Sequence, residues 1–466
     1  MTHVITRLEV APVTAAIDHA PLPPFPADVS WGTSTSAYQI EGAAGEDGKG
    51  VSIWDTFVRR PGAVREGQTG DVACDHYHRY AEDIDLMAGL GANAYRFSIA
   101  WTRIQPDGSG AANPAGLAFY DRLVDALLDK GITPFPTLFH WDLPQALEDR
   151  DGWLARDTAH RFAEYAGLVA ERLADRVEHW ITLNEPFIHL AYGYAFGVHA
   201  PGRTLMTDAI PVAHHQLLAH GLAVSALRSA GAHRVLIANN CTPVWPAGST
   251  PEDLAAADAY DALHNRMFTD PILLGRYPDL SAYGAGPDLG GVVQDGDLDV
   301  IAAPIDGFGV NYYNPTRIAA PGPEHGLPFQ DVPIEGVPRS AFDWPVVPDG
   351  LRELLVGLAD RYGSALPPVY ITENGTSVDD KVVDGHVADP ERIAFLDGHI
   401  RALAQARAAG VDVRGYLTWT LMDNFEWAEG FTQRFGLVHV DHRTQKRTPK
   451  DSYHWLRDRL AELRRG

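Results

Sequence analysis

The chain has 466 residues, 45% hydrophobic and 21% charged, the balance of a folded protein with a sizeable core. Its 61 acidic residues outnumber 38 Lys and Arg, for a formal net charge of −23. Such a surface repels phosphate backbones and anionic lipid, which argues against nucleic acid and membrane surfaces as partners.

Two cysteines, Cys74 and Cys241, cannot build a disulfide framework. No stretch reaches the roughly 18–20 apolar residues that a membrane span needs. Residues 1–20 mix Arg7, Glu9, Asp18 and His19 without a continuous apolar run, so they do not read as a secretion signal. A cytoplasmic location is the resulting expectation. Residues 1–24 are expected to form a tail, ending in the extended Pro-rich stretch that begins at Pro21, and residues 25–466 a single domain.

Short runs rich in β-branched and aromatic residues predict strands at 29–33, 92–98, 132–139, 178–183, 234–240, 305–311, 368–373 and 414–420. Helical patterns lie between them, including Arg79 to Leu90, Gly116 to Lys130, Ala159 to Leu173, Pro390 to Ala409 and Lys450 to Leu463. Eight strands alternating with helices match an α/β fold of the single (β/α)8 TIM barrel type with long βα loops. Gly/Pro-rich stretches at 41–70, 280–300 and 318–348 read as loops, some of which should wall a site.

Barrel enzymes build their sites at the C-terminal ends of the strands. Here those ends carry Arg96, His140, Asn184 with Glu185, Asn239, Asn311 with Tyr313, Glu373 and Trp419. Two glutamates stand out. Glu185 closes Trp-Ile-Thr-Leu-Asn before Pro186, and Glu373 closes Val-Tyr-Ile-Thr before Asn374-Gly375. They are 188 residues apart and meet only in the fold. Alone, each is an ordinary turn-flanking residue; together, they are the pair of carboxyls that glycoside hydrolysis requires. One protonates the leaving oxygen and the other attacks as an ionised nucleophile, so the two must titrate differently. Arg96 is a suitable neighbour for the nucleophile, because a guanidinium favours the charged carboxylate. Tyr313 could donate to that nucleophile and Asn184 to a sugar hydroxyl. Trp419, Trp427, Gln39, His140 and Glu426 have the stacking and hydrogen-bonding chemistry that a sugar needs.

Longer segments carry a resemblance. Ser-Ala-Tyr-Gln-Ile-Glu-Gly (36–42), Tyr-Arg-Phe-Ser-Ile-Ala-Trp (95–101), Leu-Phe-His-Trp-Asp-Leu-Pro (138–144), Thr-Leu-Asn-Glu-Pro (182–186), Ile-Thr-Glu-Asn-Gly (371–375) and Leu-Met-Asp-Asn-Phe-Glu-Trp (421–427) resemble the motifs of family-one glycoside hydrolases, bacterial β-glucosidases among them. The likeness runs from about residue 25 to 462. It implies a retaining exo-β-glucosidase, with Glu185 as acid/base and Glu373 as nucleophile. It further implies that Arg96, Tyr313 and Asn311 tune the nucleophile, and that Asn184 binds the 2-hydroxyl. Gln39, His140, Glu426 and Trp427 would hold the glycone on a Trp419 platform. Trp141 would support the pocket, and Trp344 would lie on the aglycone side. No metal or organic cofactor is implied, and the substrate would be a β-glucoside; the oligomeric state is left open. Glu426 stands where relatives acting on 6-phosphorylated sugars lack an acid, which favours an unphosphorylated substrate. A β-galactosidase or β-fucosidase, a transglycosylase, and a catalytically inactive sugar-binding barrel remain alternatives.

His76 with His78, and His214-His215, lack the spacing of a metal site. Asn240-Cys-Thr and Asn374-Gly-Thr match a glycosylation pattern by chance, falling at strand ends inside the expected site. Cys241 is expected to pack near the pocket wall.

Overall fold

A computed structural model describes residues 22–286, 288–322 and 326–463. Eight parallel strands close into a barrel: β1 (Ser30–Ser34), β2 (Ala94–Ser98), β3 (Thr133–Phe139), β4 (His179–Asn184), β5 (Arg234–Asn240), β6 (Gly307–Asn311), β7 (Val369–Asn374) and β8 (Val413–Trp419). Each pairs with its neighbours in sequence, and β1 closes the ring against β8. Every strand lies within two residues of its expected bounds. The reason is burial on both faces, which writes each strand as a short continuous apolar run.

Helices return the chain between strands, and local chemistry sets their ends. The helix Pro114–Asp129 starts with Pro at its first turn and with the Asn113 side chain accepting from the Ala115 N–H at 3.2 Å. Helix His76–Leu90 stops at Gly91, whose φ of 81° suits glycine. Inside the barrel, Phe135, Ile181, Leu236, Tyr370 and Leu417 form an apolar plug with Ala94 and Ala238. A second, larger apolar layer lies between strands and helices. The interior is therefore packed, and the polar strand ends have only the C-terminal mouth of the barrel to face.

Three stretches expected as loops hold short elements. Residues 41–70 include the helix Ile53–Phe57, capped reciprocally by Ser52 and Asp55. Asp297–Ile301 is helical at the end of 280–300. Within 318–348, Gln330–Asp331 pairs with the strand Thr316–Ala319, which pairs in turn with Val244–Pro246. Strands of two to four residues are too short to carry a readable period. Residues 1–21 of the expected tail lie outside the described residues; Leu22 and Phe25 are buried, Phe25 edge-on to Trp31 at 5.0 Å. Among the described residues, no helix is long and apolar enough to cross a membrane.

A buried charge cluster ties the C-terminal segment to the loop after β8. Lys450 Nζ reaches Asp380 Oδ2 at 2.7 Å and Asp423 Oδ1 at 2.8 Å, with all three side chains at most 2% exposed. Arg392 pairs with Asp380 at 3.1 Å and also with Asp389, which accepts from Ser452 Oγ at 2.6 Å. Burial works against a charged Asp423, yet Lys450 and its other partners outweigh it and hold that carboxyl well below the usual range. Removing one partner of such a pair leaves a charge buried alone. Lys450→Met is therefore expected to lower unfolding free energy at pH 7 by about 3–5 kcal/mol. The deficit should shrink as pH falls through the carboxylate range, because a depressed carboxyl contributes only while ionised. Urea denaturation at pH 7 and pH 4 checks this, and a loss under about 1 kcal/mol at pH 7 would contradict it.

Candidate active site

The site grows from one buried cation. Arg96, third residue of β2, is fully buried at the barrel axis, and every side-chain nitrogen has an acceptor. Nε donates to Thr137 Oγ1 at 3.0 Å. Nη1 donates to Ser34 Oγ (3.3 Å), the Thr372 carbonyl (3.2 Å) and Glu373 Oε1 (2.5 Å). Nη2 donates to Asn184 Oδ1 at 2.6 Å. One guanidinium thus binds together the ends of four strands, β1, β3, β4 and β7.

Glu373 follows Thr372 in β7 and is held at both oxygens, since Tyr313 donates its hydroxyl to Oε2 at 2.6 Å. Burial raises its carboxyl above the usual range, while the charge of Arg96 and the hydrogen bonds from Tyr313 and Arg96 oppose that rise. These contacts favour the ionised form. Gly375, two residues on, is required by packing, because a Cβ there would collide with the Trp419 carbonyl.

Glu185 is set differently. β4 ends at Asn184, Glu185 takes φ 45°, and Pro186 has no N–H to extend the ladder. Its backbone N–H donates to the Ala238 carbonyl at 2.7 Å, which fixes the turn. Among the described residues, only neutral amides hydrogen-bond its side chain: Asn311 Nδ2 at 2.9 Å and Asn240 Nδ2 at 3.1 Å, both on Oε1. Burial pushes its carboxyl up to about 8, and the negative charge of Glu373 adds to the shift. Two carboxyls in one pocket are therefore driven apart: one faces a cation, the other only amides.

Asn311 reaches beyond the nucleophile. Its amide donates to Asn184 Oδ1 (2.9 Å) and to Glu185, and it has a lesser lowering effect on Glu373. It acts on the expected nucleophile and also hydrogen-bonds Glu185, since β6 lies between β5 and β7 in the barrel. Thr372 Oγ1 donates to Asn311 Oδ1 at 2.6 Å and so fixes the direction of its amide.

The mouth opens into a cavity of about 860 Å3. Glu185, Glu373, Glu426, His140 and Tyr313 line it, with Trp141, Trp344, Trp419 and Trp427 as its aromatic walls. His140 lies between the Trp419 and Trp427 rings, at 6.0 and 5.9 Å, near parallel to both. Trp141 Nε1 donates to the Asn184 carbonyl at 2.9 Å, and its ring packs on Trp427 at 4.6 Å. Trp344 stacks on Phe342 at 4.4 Å and meets Tyr313 at 5.3 Å. Trp141 and Trp427 have φ of 75° and 47°, a left-handed backbone that bulky residues avoid. Together with Glu185, they concentrate backbone strain at this pocket.

Gln39, Arg96, Asn184 and Asn311 lie behind the wall rather than on it. Gln39 is fully buried; its amide donates to the Phe425 carbonyl at 2.9 Å and accepts from Ser36 Oγ at 2.6 Å. It thereby anchors the loop that carries Glu426. Asn184 turns its amide to His140 Nε2 at 3.0 Å. Glu426 is half-buried, its carboxyl raised to about 8 by burial and then by the charges of Glu373, Glu185 and Glu429.

Other strand-end residues sort themselves by parity. Asn239 turns away and donates to the Phe268 carbonyl at 2.9 Å, whereas Asn240 faces the site. Asn240 and Asn374, both in the glycosylation pattern, have their amides committed inside the protein. Both cysteines are free and buried, and Cys241 does line the cavity. Segment 187–207, which sequence reasoning left unassigned, forms a long wall through Phe187, Ile188, Tyr192, Phe196 and Met206. His76 bonds Asp83 at 2.8 Å, and His214 bonds Tyr277 at 2.9 Å and Asp297 at 2.8 Å. Among the described residues, Asp380, Asp423 and His439 are the one group close enough to share an ion, and Lys450 already supplies the positive charge there.

Residues 22–463 match the model of glycosyl hydrolase family 1. The chain is 50% identical over 458 residues to thermostable beta-glucosidase B of Thermobispora bispora, covering 97% of this chain and 94% of that one. It is 44% identical over 466 residues to a bifunctional beta-D-glucosidase/beta-D-fucosidase of Bifidobacterium breve, covering 94% and 98%. The crystal structure of a psychrophilic beta-glucosidase from Micrococcus antarcticus superposes with a TM-score of 0.91 at 46% identity, over 95% of this chain and 98% of that one. The barrel, the paired carboxyls and these likenesses agree: the chain belongs to glycosyl hydrolase family 1, a family of retaining glycosidases.

Proposed function

We propose that the protein is a β-glucosidase that removes terminal non-reducing β-glucosyl residues from disaccharides, short oligosaccharides or aryl glucosides, with Glu373 as nucleophile and Glu185 as acid/base. The observation that carries this is the asymmetry of the pair: Glu373 is clasped by Arg96 and Tyr313, while the described partners of Glu185 are the amides of Asn311 and Asn240. In the first step Glu373 attacks the anomeric carbon as Glu185 gives its proton to the departing oxygen. The C–O bond to the aglycone breaks, and a glycosyl ester forms on Glu373. In the second step Glu185, now ionised, takes a proton from water, which displaces Glu373 and releases the sugar with its configuration retained.

A glucose ring fits the cup between His140, Trp419 and Trp427, where flat apolar faces meet hydrogen-bonding groups. Trp344 and the 187–207 wall then face the aglycone. Support for glucose as glycone comes from the T. bispora relative, a beta-glucosidase. A β-fucoside, which lacks the 6-hydroxyl and inverts the 4-hydroxyl, is the second reading, favoured by the B. breve relative, a bifunctional beta-D-glucosidase/beta-D-fucosidase. Glu426 and Glu429 line the cavity, so a 6-phosphate beside them would meet carboxyls, and the neighbouring cation, Arg65, is already paired with Glu429 at 2.8 Å. Neither step needs a metal or organic cofactor, because carboxyls supply both the proton and the nucleophile. A cytoplasmic location fits the acidic composition and is part of this proposal.

Two measurements test the reading. On a matched p-nitrophenyl panel, kcat/KM should be highest for the β-glucoside, with the β-fucoside next and no rate on the α-glucoside or 6-phospho-β-glucoside. A preference for the phosphorylated sugar would overturn the Glu426 argument, and silence across the panel would favour a non-catalytic binder. Glu373→Ala should lower kcat by about 10⁴-fold or more. Added azide should then restore turnover and yield the α-glycosyl azide, since a small anion can occupy the space of the lost carboxylate. Turnover within tenfold of the unaltered enzyme would exclude Glu373 as nucleophile.

A further inference from the structure

We infer that His264 is a positioning residue for Glu185, acting through Asn240: the series Tyr260–His264–Asn240 presents an N–H to Glu185 Oε1 and so leaves Oε2 to carry the transferable proton. The inference rests on the acid/base reading of Glu185 given above.

The distances form an unbroken line. Tyr260 Oη lies 3.0 Å from His264 Nδ1, His264 Nε2 lies 2.8 Å from Asn240 Oδ1, and Asn240 Nδ2 lies 3.1 Å from Glu185 Oε1. An amide has one donor end and one acceptor end, so whatever faces Asn240 from behind decides what it shows Glu185. His264 is buried, and burial drives its imidazole down to about 3, so the ring is neutral with one N–H. The Asn240 oxygen that faces His264 Nε2 can only accept, so Nε2 donates to it and the Tyr260 phenol gives its proton to Nδ1. Nδ1 is then an acceptor, and the single ring proton sits on Nε2, aimed at the Asn240 carbonyl. All donors in the series point the same way, toward Glu185.

The second donor on Oε1 is locked in the same manner, since Thr372 fixes the Asn311 amide. Two N–H groups on Oε1 occupy the lone pairs of that oxygen and exclude a proton from it. Oε2 accepts from no protein group among the described residues, and it is the oxygen left for the glycosidic bond. Packing alone would not require a histidine: the ring stacks on Phe187 at 4.0 Å, a contact that phenylalanine would keep.

Other charges act on the same carboxyl and must be held constant. Glu373 and Arg96 act on Glu185 directly, while Glu426, Tyr192, Tyr313 and Cys241 each sense its charge. Asp331, Tyr192 and Tyr283 face Tyr260 from the other side. Substituting His264 changes none of these groups.

The test is the pH dependence of kcat/KM for His264→Phe on two β-glucosides, one with a poor alkyl leaving group and one with a dinitrophenyl leaving group. Once the amide can turn, Glu185 loses a donor that favours its ionised form, and the alkaline limb should move up by about one pH unit. The alkyl glucoside should lose about 10- to 100-fold, because the proton is no longer held on one oxygen, while the dinitrophenyl glucoside should lose less than about threefold. His264→Gln, whose amide can still donate to Asn240, should restore the limb. Tyr260→Phe should shift it by less in the same direction, and it carries the test should the Phe variant not fold. A limb that does not move in either variant, or equal losses on both substrates, would overturn the inference and leave the acid/base reading intact. An unaltered enzyme with no alkaline limb at all would overturn that reading as well.

Discussion

A guanidinium buried at the mouth of the barrel is the constraint on which the rest depends. Arg96 has no access to water, so its charge is tolerable only if every N–H finds an acceptor and one acceptor is anionic. Five acceptors from four strand ends meet that demand, and Glu373 is the anionic one. This fixes the nucleophile's position and favours its charge together. It also fixes Asn184, whose carbonyl is drawn to Arg96 and whose amide is therefore turned to His140. The pocket's polarity follows from a single buried cation satisfied in full.

Glu185 owes its character to the absence of such a partner. It lies in the same pocket, equally cut off from water, but meets neutral amides and the negative field of Glu373. The proton shared by such a pair settles on the member without a cation. The left-handed backbone at Glu185, Trp141 and Trp427 brings an acid and two pocket aromatics to the cavity at conformations that ordinarily cost about 1–3 kcal/mol each. The apolar plug beneath them and the buried cluster around Lys450 hold the surrounding loops firmly enough to keep those conformations.

Much of this was legible in the chain. Buried parallel strands write themselves as short apolar runs, so all eight were placed within two residues. Glu185, Glu373, Arg96, Tyr313, His140 and Trp419 follow from where those runs end or turn. What failed to show has physical reasons. Asn239 and Asn240 cannot be told apart until the strand's inward face is known, because side chains alternate and a shift of one residue reverses them. His264 ends a helix 24 residues beyond Asn240 and gives no local sign of its partner. The hydrogen bond from Asn311 to Glu185 also gives no sign in the sequence, because it depends on its strand lying between those that bring Asn240 and Glu373 to the site. The wall at 187–207 is partly a π-helical turn, His189–Ala195, whose irregular spacing carries no amphipathic signature.

The central claim is that an arginine-clasped carboxylate attacks and an amide-bound carboxyl transfers the proton, with a covalent intermediate between the two steps. Proton NMR of the anomeric region during the first minutes of β-glucoside hydrolysis tests it most directly. The account predicts that β-glucose appears first and that the α-anomer follows only by slow mutarotation. Initial release of α-glucose would mean a single inverting displacement by water, and would contradict the roles given to Glu373 and Glu185.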